Sequence, residues 1–178
     1  ESLEKKLKQK KIDLVVAVDI AGNPCDWLKL KKLSKTYNFK IINDNCHAIG
    51  TKYLNKINYA VKYADLVVHS YHSIKNITSG EGGSILTNNA KYYRKISKSC
   101  SHGIEKRGKK FPWHYEINEI GYNFRLTDFQ CALGLSQLND LNKKISRRRK
   151  IAKIYDDFFK KDSRFKIQKM RKKSISSY

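Results

Sequence analysis

Long apolar runs are missing from this chain. No stretch approaches the roughly 18 consecutive apolar residues that a membrane-spanning helix requires, so no transmembrane helix and no membrane partner are expected. Cysteine is sparse: Cys25, Cys46, Cys100 and Cys131 form no Cys-x-x-Cys pair and no zinc-like spacing. Isolated thiols of this kind argue against a disulfide framework and suit a reducing, cytoplasmic setting. No secretory signal, internal repeat or low-complexity linker is visible. Acidic residues are the last shortage, with 16 Asp and Glu against 38 Lys and Arg, a formal charge of +22.

That charge has two readings. One is an anionic partner, such as nucleic acid or a membrane surface. The other is a coding bias, because 30 of the 38 basic residues are Lys, only eight are Arg, and Asn and Ile are also abundant. Nucleic-acid binders more often combine Arg clusters with aromatic platforms, which favours the bias and no nucleic-acid partner. A hydrophobic content of 40% over 178 residues allows one sizeable core, or part of a larger protein. The chain opens on Glu1, already in a helix-like segment, and stops at Tyr178 without a closing element, so a fragment is expected.

Residues 2–10 read as a charged helix. Residues 12–18 form a near-continuous apolar run, the pattern of a strand buried on both faces of a parallel sheet. After a loop over 19–24, Asp26 can N-cap a helix to about Tyr37, with Trp27, Leu28, Leu30 and Leu33 as its apolar stripe. Residues 39–42, 65–69 and 83–87 read as further strands, and 91–100 as a helix. Residues 101–124 look like a long irregular excursion holding Trp113 and His114, and such loops are usually functional. Thr127 and Asp128 start a helix in which Phe129, Ala132, Leu133, Leu135 and Leu138 should pack. A second helix follows from about Asn142 to Phe159, with residues 147–150 as a solvated basic face. The order of elements predicts an α/β fold, a mainly parallel sheet flanked by helices. Ligands of such sheets gather beyond the carboxyl ends of the strands, where Asp19, Asp44, His47, Ser70 and Lys75 all fall.

Lys75 stands out among the thirty lysines. It follows a strand-like run and precedes the glycine-rich turn Ser79-Gly80-Glu81-Gly82-Gly83, after which another strand-like run begins. An amine placed there can form a Schiff base, and Asp44 supplies a strand-end carboxylate. A pyridoxal phosphate site needs both, since a carboxylate keeps the pyridine nitrogen protonated so that the ring accepts electrons. Ser70, five residues before Lys75, is a candidate phosphate donor.

Three ordered motifs resemble the DegT/DnrJ/EryC1/StrS sugar aminotransferases, within the fold type I pyridoxal phosphate enzymes. They are Asp44-Asn45-Cys46-His47-Ala48-Ile49-Gly50, then the lysine motif from Ser70-Tyr71-His72-Ser73-Ile74-Lys75 through Thr78 to Gly83, and then Gly121-Tyr122-Asn123-Phe124-Arg125-Leu126-Thr127-Asp128 with Gln130 and Ala132-Leu133-Gly134. The resemblance implies the central part of an aspartate aminotransferase-like large domain. Residues 1–141 would be a partial cofactor-binding domain, and 142–178 a helical connection to a truncated C-terminal domain. It implies pyridoxal 5′-phosphate as cofactor and Lys75 as the Schiff-base lysine and acid/base. Asp44 would pair with the pyridine nitrogen, His47 would stack on the ring, and Ser70 would bind the phosphate. Asn123 would reach the phosphate of the neighbouring subunit's cofactor, in a homodimer with shared active sites. The segments 18–22, 101–104 and 132–138 look closest to a branch that moves an amino group from glutamate to C4 of a UDP-linked 4-keto-6-deoxy sugar, on the way to pseudaminic acid. The family's N-terminal phosphate-binding turn has no counterpart here, so this piece alone is expected to be inactive.

Plainer readings stand beside these. Lys75 alone would be a surface lysine, Asp44 a helix cap, His47 a satisfied core histidine and Ser70 a strand-end hydroxyl. Arg125 fits a donor carboxylate bidentately, or a structural ion pair. His72, His102 and His114 share no ligand-like spacing with a carboxylate or cysteine, so no metal is expected. The alternatives to catalysis are a family member that only binds cofactor or sugar, and a basic nucleic-acid module.

Overall fold

The computed structural model describes residues 2–106 and 113–178. A helix α1 (Ser2–Gln9) leads into β1 (Leu14–Val18), α2 (Trp27–Tyr37), β2 (Lys40–Asp44), α3 (Tyr59–Tyr63), β3 (Leu66–Ser70) and β4 (Gly83–Leu86). Then come α4 (Ala90–Ser99), β5 (Ile104–Lys106), β6 (Tyr115–Ile117), α5 (Asp128–Asn139) and α6 (Leu141–Phe159). The main sheet runs in the order β1-β2-β3-β4, the first three parallel and β4 antiparallel to β3. The α/β architecture expected from the element order is therefore present. Register sets Val18 beside Asp44 and Asp44 beside Val68, so the carboxyl ends of three strands line up at one edge.

Local chemistry explains the helix starts. Asp26 caps α2, its Oδ1 accepting from the Lys29 amide at 3.2 Å. Asn89 caps α4 by accepting from the amides of Lys91 and Tyr92. Thr127 and Gln130 form a reciprocal capping box at α5.

The core lies between one face of the sheet and the first three helices, built from Leu7, Ala17, Trp27, Phe39, Ile41, Tyr53, Tyr59, Ala60 and Val67. A smaller cluster of Ile49, Ile77, Leu141 and Ile145 fastens α6 to the strand-end loops. Residues 174–178 return to the same region. Ile175 bridges to Lys52, and the Ser177 amide donates to Thr51 Oγ1 at 3.1 Å. Gly22 makes room for this return, because its φ is +72° and a Cβ would fall 2.4 Å from Ser176 Oγ.

Four expectations need correction. β1 is not buried on both faces: strand alternation turns Ala17 inward and leaves Leu14, Val16 and Val18 exposed, Val16 by 55%. No described element covers that second face. Leu28 is 52% exposed, since at 100° per residue it turns away from the side on which Trp27, Leu30 and Leu33 pack. The 101–124 stretch is not wholly irregular, because β5 and β6 pair antiparallel with Ile104 opposite Ile117; residues 107–112 of it lie outside the described residues. The apolar residues of α5 do not pack as expected, Phe129 being 89% exposed and Leu133, Leu135 and Leu138 exposed too. Among the described residues, no helix is long and apolar enough to cross a membrane.

Ile41, fully buried in the central part of the sheet, and Leu28 make a matched test. Ile41→Ala should cost about 2–5 kcal/mol in urea unfolding, and Leu28→Ala no more than about 0.5 kcal/mol.

Candidate active site

The strand edge is organised by a fully buried carboxylate. Asp19 directly follows β1, and its Oδ1 accepts from the Cys25 amide at 2.8 Å and the Trp27 indole N–H at 3.2 Å. Its Oδ2 accepts from the Tyr59 hydroxyl at 2.7 Å, Asn45 Nδ2 at 3.1 Å and Asn43 Nδ2 at 3.2 Å. Burial pushes the Asp19 carboxyl above the usual carboxylate range, while the donors from Cys25, Tyr59, Asn43 and Asn45 pull it back. The Asp19 amide also donates to the Asp44 carbonyl at 3.0 Å. Asn45 carries the network on, its Oδ1 lying 3.2 Å from His69 Nε2. Burial lowers the His69 pKa, which favours the neutral ring.

Beyond β2 the chain turns sharply. Asp44 Oδ1 accepts from the Cys46 amide at 3.1 Å, and the amides of Ala48 and Thr51 close successive turns onto Asn45 and Ala48. The Asn45 amide bonds the Val68 carbonyl at 2.9 Å, locking this turn to β3. His47 follows, half-buried, with Nδ1 accepting from the Ala21 amide at 3.5 Å. Gly50 has φ +83°, and a Cβ there would fall 2.1 Å from Ile145 Cδ1.

Lys75 sits on the connection between β3 and β4. The Tyr71 amide donates to Gly82 O at 2.8 Å and the Ser79 amide to Tyr71 O at 3.0 Å, so the ends of the connection are pinned together. Within it the Lys75 amide donates to His72 O at 3.0 Å, and Asn76 Nδ2 reaches across to Ile49 O at 3.0 Å. Ser70 Oγ accepts from the His72 amide at 3.3 Å. Gly83 cannot carry a side chain, as its Cβ would lie 2.5 Å from His69 O.

The Cys46 thiol reports on its neighbours. Its pKa is pushed up to about 11 by burial, by the hydrogen bond to Asp44 and by the Asp44 charge, against an opposing pull from the Lys75 ammonium. Because β2 and β3 run parallel, Asp44 and His47, at and beyond the end of one, and Ser70 and Lys75, at and beyond the end of the other, lie at the same edge of the sheet. Asn123 and Arg125 stand apart: Asn123 bridges to Ser101, and Arg125 Nη1 donates to Ser101 Oγ at 3.2 Å. Arg125 lines a cleft with His69, Gly82 and Ser84, whereas Lys75 lines another with Asn76, Thr78 and Arg147.

Residues 147–150 are not the uniformly solvated face expected of them. Arg148 and Arg149 are half-buried, with guanidinium groups on backbone oxygens. The signal was there to be read: Leu141, Ile145 and Arg148 are spaced i, i+4, i+7, the stripe that a helix buries.

The donor set suits an aldehyde-bearing aromatic phosphate. A half-buried lysine, a strand-end carboxylate, an imidazole and a hydroxyl lie at or just beyond the carboxyl ends of β2 and β3, where such a sheet offers a ligand edge. Pyridoxal phosphate fits that chemistry.

Comparison with known proteins points the same way. The model of the DegT/DnrJ/EryC1/StrS aminotransferase family matches residues 1–178. A UDP-4-amino-4,6-dideoxy-N-acetyl-beta-L-altrosamine transaminase of Campylobacter jejuni subsp. jejuni serotype O:23/36 (strain 81-176) is 36% identical over 179 residues, 99% of this chain and 46% of the relative. A GDP-perosamine synthase of Escherichia coli O157:H7 is 35% identical over 153 residues, 86% of this chain and 40% of the relative. Among solved structures, Helicobacter pylori PseC, an aminotransferase involved in the biosynthesis of pseudoaminic acid, superposes with a TM-score of 0.81 at 36% identity, over 89% of this chain and 42% of that one. The chain thus spans less than half the length of these relatives.

Asp19→Asn sets an amide N–H among five donors and should destabilise the fold by roughly 3 kcal/mol in denaturant unfolding. The sign of its pH dependence follows from the raised carboxyl. The folded state holds this proton more tightly than the unfolded chain, so the group's contribution is fully present below the unfolded value of about 4 and falls as pH rises through the folded pKa. The stability gap between the native chain and Asp19→Asn should therefore be wider below that value than at neutrality.

Proposed function

Since the chain belongs to the DegT/DnrJ/EryC1/StrS aminotransferase family, we propose that it forms the lysine-bearing part of a pyridoxal phosphate-dependent nucleotide-sugar aminotransferase. The observation that carries this reading is the shared carboxyl edge of the sheet: Asp44 ends β2, and Lys75 lies on the connection that leaves the neighbouring parallel strand β3. Glutamate is the amino donor and a UDP-linked 4-keto-6-deoxy sugar the acceptor, a choice supported by relatives that bear altrosamine transaminase names. Residues 1–141 belong to the cofactor domain and 142–178 are the helical connection from it, with α6 and 174–178 still packed on its strand-end loops. The isolated thiols suit a cytoplasmic enzyme.

Lys75 would hold the cofactor covalently through Nζ, Asp44 would face its ring nitrogen, His47 would cover one ring face and the Ser70 hydroxyl would bind its phosphate. When bound, the cofactor supplies an electrophilic carbon and a protonated ring that takes up the electron pair left when a C–H bond beside nitrogen breaks. Asp44 Oδ would keep the proton on that ring nitrogen. Lys75 Nζ, set free once the donor's amine takes its place, would take the proton from the donor's α-carbon and later return one to the sugar carbon that has received nitrogen. His47 and the pinned 71–82 connection would hold the ring in place. Arg125 would receive the donor's carboxylate as a fork, and Asn123 would reach a phosphate across a homodimer. That assignment agrees with their place away from Lys75 within one chain, and with the exposed α5 residues available to a second copy.

In the full chain, Lys75→Ala should abolish the borohydride-stabilised attachment of cofactor to the 71–82 peptide, read by mass spectrometry. Release of 2-oxoglutarate from glutamate should fall roughly 10²- to 10⁴-fold. An adduct that persists in this variant would overturn the role of Lys75. Cofactor bound by the full-length protein without any 2-oxoglutarate release would point instead to a family member that only binds.

A further inference from the structure

One cation lies behind the lysine turn and is not accounted for by the chemistry above. Arg148 sits on the buried stripe of α6, one turn beyond Ile145, which packs against Ile49 and Ile77. Its Nη1 donates to the Tyr178 backbone oxygen at 3.0 Å and lies 3.5 Å from Asn76 Oδ1. Its Nη2 donates to the Lys75 carbonyl at 3.4 Å. These three acceptors come from two segments far apart in sequence. A planar guanidinium can serve them together because its donors form a rigid fork, whereas a lysine ammonium is a single point.

Asn76 extends the clamp. Buried, it donates Nδ2 to Ile49 O at 3.0 Å while its Oδ1 faces Arg148. The turn that carries His47 and the turn that carries Lys75 are thus joined through one amide and one guanidinium. Next along the helix, Arg149 Nε donates to Ser176 O at 2.6 Å, so adjacent arginines hold the returning segment 174–178.

From this geometry we infer that Arg148 is a positioning residue for Lys75: it fixes the backbone from which the lysine projects and ties it to the 174–178 segment. A lysine side chain has four rotatable bonds, so its amine is aimed only as well as its backbone is held. The bonds that pin the ends of the connection, between Tyr71 and Gly82 and between Ser79 and Tyr71, leave the Lys75 carbonyl to Arg148. The kinetic consequence rests on the aminotransferase reading; the structural one does not.

The test is amide hydrogen exchange on the full chain without cofactor or substrate, comparing native protein with Arg148→Met and Arg148→Lys. Both variants should speed exchange of the 75–79 amides by about tenfold or more while β1 and β2 keep their protection. Exchange that rises only in 174–178, or nowhere, overturns the inference. Arg148→Lys keeps the charge and the helix, and it carries the test if Arg148→Met does not fold. With cofactor and substrates present, kcat should fall about tenfold in Arg148→Lys with KM within about threefold, as expected when aim and not binding is lost. A change confined to KM would likewise count against the role. Because the exchange arm needs no ligand, its failure counts against Arg148 and leaves the aminotransferase reading untouched.

Discussion

The burial of one carboxylate constrains everything around it. Asp19 has no exposed surface, and a buried carboxylate is tolerable only when its oxygens are satisfied. Five donors from the loop before α2, from α2 itself, β2, the turn after it and α3 converge on it to meet that demand. Each donor belongs to an element that would otherwise be free to shift along the sheet edge. Asp44 and His47, which flank Asn45 in sequence, inherit their place from this network.

A second constraint runs through α6. Ile49 and Ile77 come from the two candidate motifs, and both pack on Leu141 and Ile145 of that helix. Apolar contact sets the distance between the motifs, while directional bonds from Asn76 and Arg148 set their orientation. The candidate site is therefore held by a polar network on one side and a small apolar cluster on the other. Its outward side faces a sheet surface and an α5 face left exposed within the described residues, in a chain that spans less than half the length of its relatives.

Helix starts were legible because they depend on local chemistry. Asp26 and Thr127 cap where their side chains can reach the next free amides, and nothing distant is needed. The four strands of the main sheet were legible from apolar runs, to within one or two residues, whereas the short β5 and β6 were not. Burial on particular faces was not. The run over residues 12–18 looks the same whether one face or two are covered, and the covering element lies elsewhere in the chain or in another chain. The apolar residues of α5 misled for the same reason. Arg148 was hidden by its neighbours, since four basic residues in a row suggest a solvated face, and only the helical phase with Leu141 and Ile145 separates one of them.

The sequence by itself determined the α/β class, the order of the main-sheet strands and the longer helices, the Asp26 and Thr127 helix starts and the three motifs, because each follows from patterns within a few residues. It also marked Lys75, Asp44, His47 and Ser70 as strand-end groups. Only the tertiary structure decided that the segments carrying Lys75 and Asp44 share one edge of the sheet, while Asn123 and Arg125 are bound at Ser101. It also decided that Asp19 is a buried hub and that Arg148 clamps the lysine turn. Those facts depend on contacts across 24 to 73 positions of sequence, such as Asn43 with Asp19 and Arg148 with Lys75, and such contacts exist only once the sheet and α6 have closed on each other.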